Sequence, residues 1–137
     1  MENLFVYGTL MGDANHPLGI MIRQEGRFLG RASFKGKLFS IDYYPGAVLS
    51  SLGSNYVSGE VYALSNNKDI LISLDEYEEY HQNDEKNSEF VRRKINVKLE
   101  NGAKISAWTY LYNFPTNGLK EIPSGDFRGY LQDVATH

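Results

Sequence analysis

Cysteine is absent from the 137 residues, which excludes disulfides, thiolate nucleophiles and Cys-ligated zinc or iron–sulfur sites. Also missing are a Walker-type or G-x-G-x-x-G phosphate loop and a G-x-S-x-G nucleophile elbow, which disfavours nucleotide enzymes and serine-triad hydrolases. The three histidines, His16, His81 and His137, are scattered without metal-ligand spacing, so neither a metal nor a cofactor is expected. Basic residues are in the minority, 14 Lys and Arg against 17 Asp and Glu, for a formal net charge of −3. Backbone-driven nucleic-acid binding needs clustered positive charge, so no nucleic-acid partner is expected either. No stretch approaches ~18 consecutive apolar residues, and Met1 to Val6 lacks a basic segment leading into a long apolar one. Membrane spanning and signal-peptide secretion are therefore not expected, and the cytoplasm is the default location.

What the chain does contain suits one compact α+β domain over residues 1–137: 42% hydrophobic residues, 23% charged residues, thirteen glycines and ten tyrosines. Short apolar runs between turn signals predict a strand-rich fold. Leu4 to Tyr7 reads as a buried first strand ending at Gly8, and residues 11 to 26 as a loop with a short helix. Further strands are predicted at Phe28 to Ile41 and Val57 to Leu64. Two alternating runs within Phe90 to Asn113 flank Asn101-Gly102, a dipeptide suited to a type I′ hairpin turn. Asn67 to Tyr80 reads as a helix with an Asn-rich start able to cap it, His81 to Glu89 as a polar surface loop, and Gly118 to His137 as an irregular tail.

Chemistry concentrates at two places. On a helical wheel at ~100° per residue, Ile70, Leu71, Leu74 and Tyr77 form an apolar arc that also contains Glu78, whereas Glu76 and Glu79 project outward and Asp75 lies at the arc's edge. A carboxylate held in that arc loses hydration, which raises its pKa and prepares it for proton transfer near neutral pH. A helix ending before Glu78 would instead leave it in a solvated acidic cluster. Tyr7-Gly8-Thr9-Leu10 follows the first strand, where a Gly-containing loop presents backbone N–H groups to a carboxylate or carbonyl oxygen; a plain turn with Gly at positive φ is the alternative. Alternation sends Arg92 and Arg93 to opposite faces of a strand. One of them faces a substrate or pairs with an acid near Glu78, or both are solvated.

These residues, in this order, resemble the gamma-glutamylcyclotransferase-like proteins of the avirulence-induced-gene type. The resemblance runs nearly end to end through Tyr7-Gly8-Thr9-Leu10, Tyr44-Pro45-Gly46-Ala47-Val48, Gly59-Glu60-Val61-Tyr62, Leu74-Asp75-Glu76-Tyr77-Glu78, Phe90-Val91-Arg92, Ala107-Trp108-Thr109-Tyr110 and Ser124-Gly125-Asp126-Phe127. It implies a small mixed β-barrel with a few short helices, a cavity bounded by the Tyr7 to Leu10 substrate-binding loop, and Glu78 as general acid/base. The implied activity is cofactor-free release of 5-oxoproline and an amine from a small-molecule gamma-glutamyl substrate; a non-catalytic small-molecule binder of the same fold is the other reading. Two positions depart from the family pattern, Glu79 where Gly is frequent and Phe90 where Tyr is frequent, and both bear on the shape of the pocket.

Overall fold

The computed structural model describes residues 2–8, 16–41, 44–65 and 67–136. Its elements are β1 (Glu2–Val6), α1 (Pro17–Glu25), β2 (Gly26–Ile41), β3 (Tyr44–Leu49), β4 (Tyr56–Leu64), α2 (Asn67–Tyr77), a 3-10 segment (Gln82–Asn87), β5 (Phe90–Leu99), β6 (Lys104–Tyr112), β7 (Lys120–Ile122) and α3 (Phe127–Thr136). Strands β2, β4, β1, β6 and β5 pair in that order, and β5 returns to β2 through Ala32↔Leu99 and Ser33↔Lys98. The five strands thus close into a barrel. It is mixed, because β1 runs parallel to β6 at Leu4↔Trp108 while the other pairings of the ring are antiparallel. The far half of the long strand β2, from Gly36 onward, leaves the ring to pair with β3 and β7.

Strand β1 sits between two neighbours and is covered on both faces, which explains its unbroken apolar run of Leu4, Phe5 and Val6. Alternation divides those three residues between two cores. Phe5 points inward to pack with Phe34, Val57, Val61, Val97 and Ala107, its ring meeting that of Phe34 edge-on at 5.5 Å. Leu4 and Val6 point outward, against Ile22 of α1 and Ile70, Leu71 and Leu74 of α2. Helix α2 is therefore fixed across the outer face of β1 and β6, and its last turn overhangs the C-terminal end of β1.

Several expectations are corrected in detail. The β5–β6 hairpin is present, but its turn is not type I′. Among the described residues Glu79 is the one non-glycine at positive φ, so Asn101 lacks the conformation that turn requires. Instead Gly102 N–H donates to the Leu99 carbonyl, Gly102 itself takes φ 92°, and Leu99 N–H returns to the Ala103 carbonyl, a three-residue loop in which Asn101 Oδ1 accepts from Ala103 N–H. The segment after Gly118 is not an irregular tail. It carries β7 and α3, with Phe127 buried in the barrel core and Gly125 accepting from Ser58 N–H. The acid-rich stretch after His81 forms the 3-10 segment, tied by Asn113 Nδ2 donating to the carbonyls of Glu85 and Ser88. Tyr44 to Leu49, read only as a motif, is a strand, and Pro45 fits because β3 lies at the end of the strand order. Of the Asn-rich start read as able to cap α2, Asn66 lies outside the described residues.

Candidate functional site

Helix α2 ends in a Schellman motif. Glu78 N–H closes the last α-type bond to the Leu74 carbonyl, Glu79 N–H reaches the Glu76 carbonyl, and Tyr80 N–H reaches back to that of Asp75. Glu78 is the C-cap residue. Glu79 occupies the following left-handed position at φ 56°, where glycine is preferred because an L side chain there costs about 1–2 kcal/mol. The helix stops one residue before Glu78, yet the backbone bond to Leu74 keeps Glu78 on the turn that the apolar arc specified.

This turn forms one wall of a cavity of about 300 Å³, completed by the end of β1 through Gly8, the start of β3, the Glu89-Phe90 entry to β5, and Thr109 and Tyr110 of β6. Glu78 lines it, and Glu76 does not. Glu79 was expected to face away; it is exposed but also lines the cavity, because the left-handed residue ends the helical progression that the wheel assumes. Burial first, and the neighbouring charge of Glu89 second, push the Glu78 carboxyl up to about 7. Glu89 itself accepts a hydrogen bond from the Tyr44 hydroxyl. Nothing in the sequence marked Glu89, which sits in a run of polar residues and meets Glu78 only because β5 starts beside the end of α2.

Of the four loop residues singled out, Tyr7 and Gly8 line the cavity, while Thr9 and Leu10 lie outside the described residues. The Tyr7 phenol is committed to the scaffold: it donates to the Tyr110 carbonyl at 2.5 Å and accepts from Ala47 N–H at 3.2 Å. Desolvation, reinforced by the charge of Glu78, raises its pKa well above the usual tyrosine value, so the hydroxyl stays protonated in that role. Gly8 is not at positive φ, which removes the left-handed-turn explanation. Its need is close approach, since a Cβ there would lie 2.9 Å from Pro45 Cγ on the facing wall.

A second network braces α2. Arg92 donates to Asp75 through Nε at 2.9 Å and Nη2 at 3.2 Å, the Tyr110 hydroxyl donates to Asp75 Oδ1 at 2.5 Å, and the guanidinium lies 4.6 Å from the Trp108 ring centroid. Arg92 thus realises the pairing with an acid near Glu78, whereas Arg93 forms an exposed bidentate pair with Glu85. Asp75 precedes Glu78 by one turn, so this partly buried pair ties the last turn of α2 to β5 and β6. Burial and its bond to Asp75 also hold the Tyr110 hydroxyl protonated.

His16 caps α1, its Nδ1 accepting from Leu18 N–H, and His81 is exposed; His137 lies outside the described residues. No three His, Asp or Glu side chains among the described residues gather as a metal site. Likewise, no helix among them is long and apolar enough to cross a membrane.

Comparison with known proteins agrees with this fold. Residues 4–129 match the family described as gamma-glutamyl cyclotransferase, AIG2-like. The gamma-L-glutamyl-butirosin B gamma-glutamyl cyclotransferase of Niallia circulans is 38% identical over 116 residues, covering 82% of this chain and 68% of that protein. The gamma-glutamylcyclotransferase family protein YtfP of Escherichia coli K12 is 34% identical over 125 residues, covering 90% of this chain and 94% of its own. Among solved structures, YkqA from Bacillus subtilis superposes with a TM-score of 0.73 at 26% identity; 99% of this chain is covered, and the chain spans 43% of YkqA.

Proposed function

The chain belongs to the gamma-glutamyl cyclotransferase, AIG2-like family, and from that premise we propose that it cyclises a gamma-glutamyl amide to 5-oxoproline, with Glu78 as the single proton shuttle. The observation that carries the reading is a carboxyl group with a pKa raised to about 7 in the wall of a cavity of about 300 Å³. The gamma-glutamyl cyclotransferase-type function follows from the family; the cyclisation chemistry and its residues are argued from the site.

The free α-amine of the glutamyl group attacks the side-chain carbonyl carbon five atoms around the ring. A C–N bond forms, the carbonyl becomes a tetrahedral oxyanion, and its collapse breaks the C–N bond to the leaving amine. Because the nucleophile is tethered, holding the glutamyl chain curled in an enclosed pocket supplies several kcal/mol of the acceleration. An α-ammonium has a reference pKa of about 8, so proton transfer to a carboxylate at about 7 is uphill by roughly 1.4 kcal/mol. An ordinary glutamate at 4.5 would make the same step uphill by about 5 kcal/mol. The protonated Glu78 then returns its proton to the departing nitrogen. The attacking nitrogen sheds its second proton as the lactam forms, the released amine leaves as an ammonium ion, and no water enters.

Backbone N–H groups of the Tyr7 to Leu10 loop would hold the α-carboxylate or the oxyanion. The Tyr7 phenol, already bonded at both lone pair and proton, keeps the β1 end in register with β3 and β6. On the acid side the rate is expected to fall with a midpoint near 7, as Glu78 takes up the proton that disables it as a base. The direct test is a panel of gamma-glutamyl amines turned over in H₂¹⁸O with product analysis by mass spectrometry. Unlabelled 5-oxoproline supports cyclisation; labelled glutamate would mean that water is the nucleophile and would overturn the mechanism.

A further inference from the structure

We infer that the amine released by this enzyme is carried on a cationic molecule, and that gamma-glutamyl amides bearing a carboxylate on the leaving side are disfavoured. The inference rests on the cyclisation reading above and assigns Glu79 and Glu89 as its specificity-determining residues. The cavity wall contains three carboxyl groups, Glu78, Glu79 and Glu89, and no Lys, Arg or His among its described lining residues. The stretches 9–15 and 42–43 cannot supply a compensating basic side chain, since their sequences hold Asp13 and Asp42 and no Lys, Arg or His. The bases of the adjoining strand are already engaged, Arg92 by Asp75 and Arg93 by Glu85. His16 meets the cavity-lining Tyr77 edge-on at 4.9 Å but does not line the cavity, and its Nδ1 is engaged in capping α1 as the acceptor from Leu18 N–H.

Catalysis uses one of these three acids. Glu78 handles the proton and, when protonated, contributes no charge. Glu89 and the exposed Glu79 are the other two carboxyl groups of the wall and rim, and the ion pairs among the described residues include neither of them. Their fields act on whatever extends from the scissile nitrogen past Glu78 toward the opening. At a separation of about 6 Å and an effective dielectric constant of about 40, one charge changes relative transition-state stability by roughly tenfold, in favour of an ammonium and against a carboxylate. A carboxylate directly beside the scissile nitrogen, as in a gamma-glutamyl amino acid, would add its charge to those of Glu79 and Glu89 with no cation from the wall to offset it.

The test uses three gamma-glutamyl amides of matched length, made from 1,5-diaminopentane, 5-aminopentan-1-ol and 5-aminopentanoate, which differ only in a terminal ammonium, hydroxyl or carboxylate. The expected order of kcat/KM for 5-oxoproline release is ammonium over hydroxyl over carboxylate, about tenfold per step at low ionic strength. The range should shrink in 0.5 M salt, roughly a regime where charges more than a few ångströms apart at a wetted rim are screened. Glu79→Gln and Glu89→Gln should each narrow the ammonium-to-carboxylate ratio several-fold. Equal rates for the three substrates, a preference for the carboxylate, or an unchanged ratio in both variants would overturn the inference while leaving cyclisation intact. Absence of 5-oxoproline from all three would overturn the cyclisation reading and this inference with it.

Discussion

Replacing Glu78 with Gln should make the folded protein more stable at alkaline pH, whatever it does to turnover. The Glu78 carboxyl is raised from 4.5 to about 7, chiefly by burial and then by Glu89. Because the folded value lies above the unfolded one, the native state retains a proton that the unfolded chain has released across that interval, and stability falls as pH rises through it. The shift of about 2.5 units corresponds to roughly 3 kcal/mol, fully in force above about pH 8 and absent below about pH 4. Glutamine resembles the protonated acid at every pH, so Glu78→Gln removes the penalty. The expected gain is up to about 3 kcal/mol at pH 8.5, a rise in Tm of about 10 °C for a chain of this length, shrinking toward zero near pH 4.5. Thermal unfolding of wild type and variant at pH 4.5, 6, 7 and 8.5 measures it, with Glu76→Gln as the exposed control on the same helix. A Tm difference that does not grow between pH 4.5 and 8.5 would refute the claim that Glu78 is held in an environment hostile to its charge.

Three other perturbations probe what supports the site. Glu79→Gly should stabilise the fold by up to about 1 kcal/mol by relieving the left-handed φ of 56°, read as a higher denaturation midpoint; a loss of stability would mean that the Schellman turn is held by the Glu79 side chain. Asp75→Ala should cost about 3 kcal/mol in chemical denaturation, since it strands the partly buried Arg92 guanidinium and the Tyr110 hydroxyl together; a change under 1 kcal/mol would show that the network does not brace α2. Gly8→Ala places a Cβ 2.9 Å from Pro45 Cγ, so the facing wall must shift; stability should drop by about 1–3 kcal/mol with a raised KM, and wild-type values for both would put that approach in error.

How much of this was legible follows from what each feature depends on. The β5–β6 hairpin, the first strand and the amphipathic α2 are written in local alternation and periodicity, and all three stand at close to their predicted bounds. Closure of the barrel is not local: it rests on Ala32↔Leu99 and on the parallel contact Leu4↔Trp108, partners separated by 67 and 104 positions. The turn type failed for a smaller reason, since Asn-Gly also suits a loop in which only the glycine is left-handed. At the site, Glu78 could be found because Ile70, Leu71, Leu74 and Tyr77, over the two turns before it, define a face. Glu89 could not, because it meets Glu78 across separate elements and looks like ordinary surface polarity where it stands; of the Asp75–Arg92–Tyr110 network only the option of an Arg–acid pair near Glu78 was legible, and neither the choice of Arg92 and Asp75 nor the part of Tyr110 was. Glu79 was misplaced by extending a helical wheel two residues past the end of the helix at Tyr77.

The central claim, that Glu78 shuttles the proton, is tested most directly by kcat/KM of Glu78→Gln on a gamma-glutamyl amine that the wild type converts, with folding of the variant confirmed by its Tm. The amide keeps the size of the side chain and can still donate a hydrogen bond, but it cannot accept and return a proton. The account predicts a fall of at least ~10²-fold, the scale of a lost general acid/base, in a protein no less stable than the wild type. Turnover by Glu78→Gln at close to the wild-type rate would contradict it.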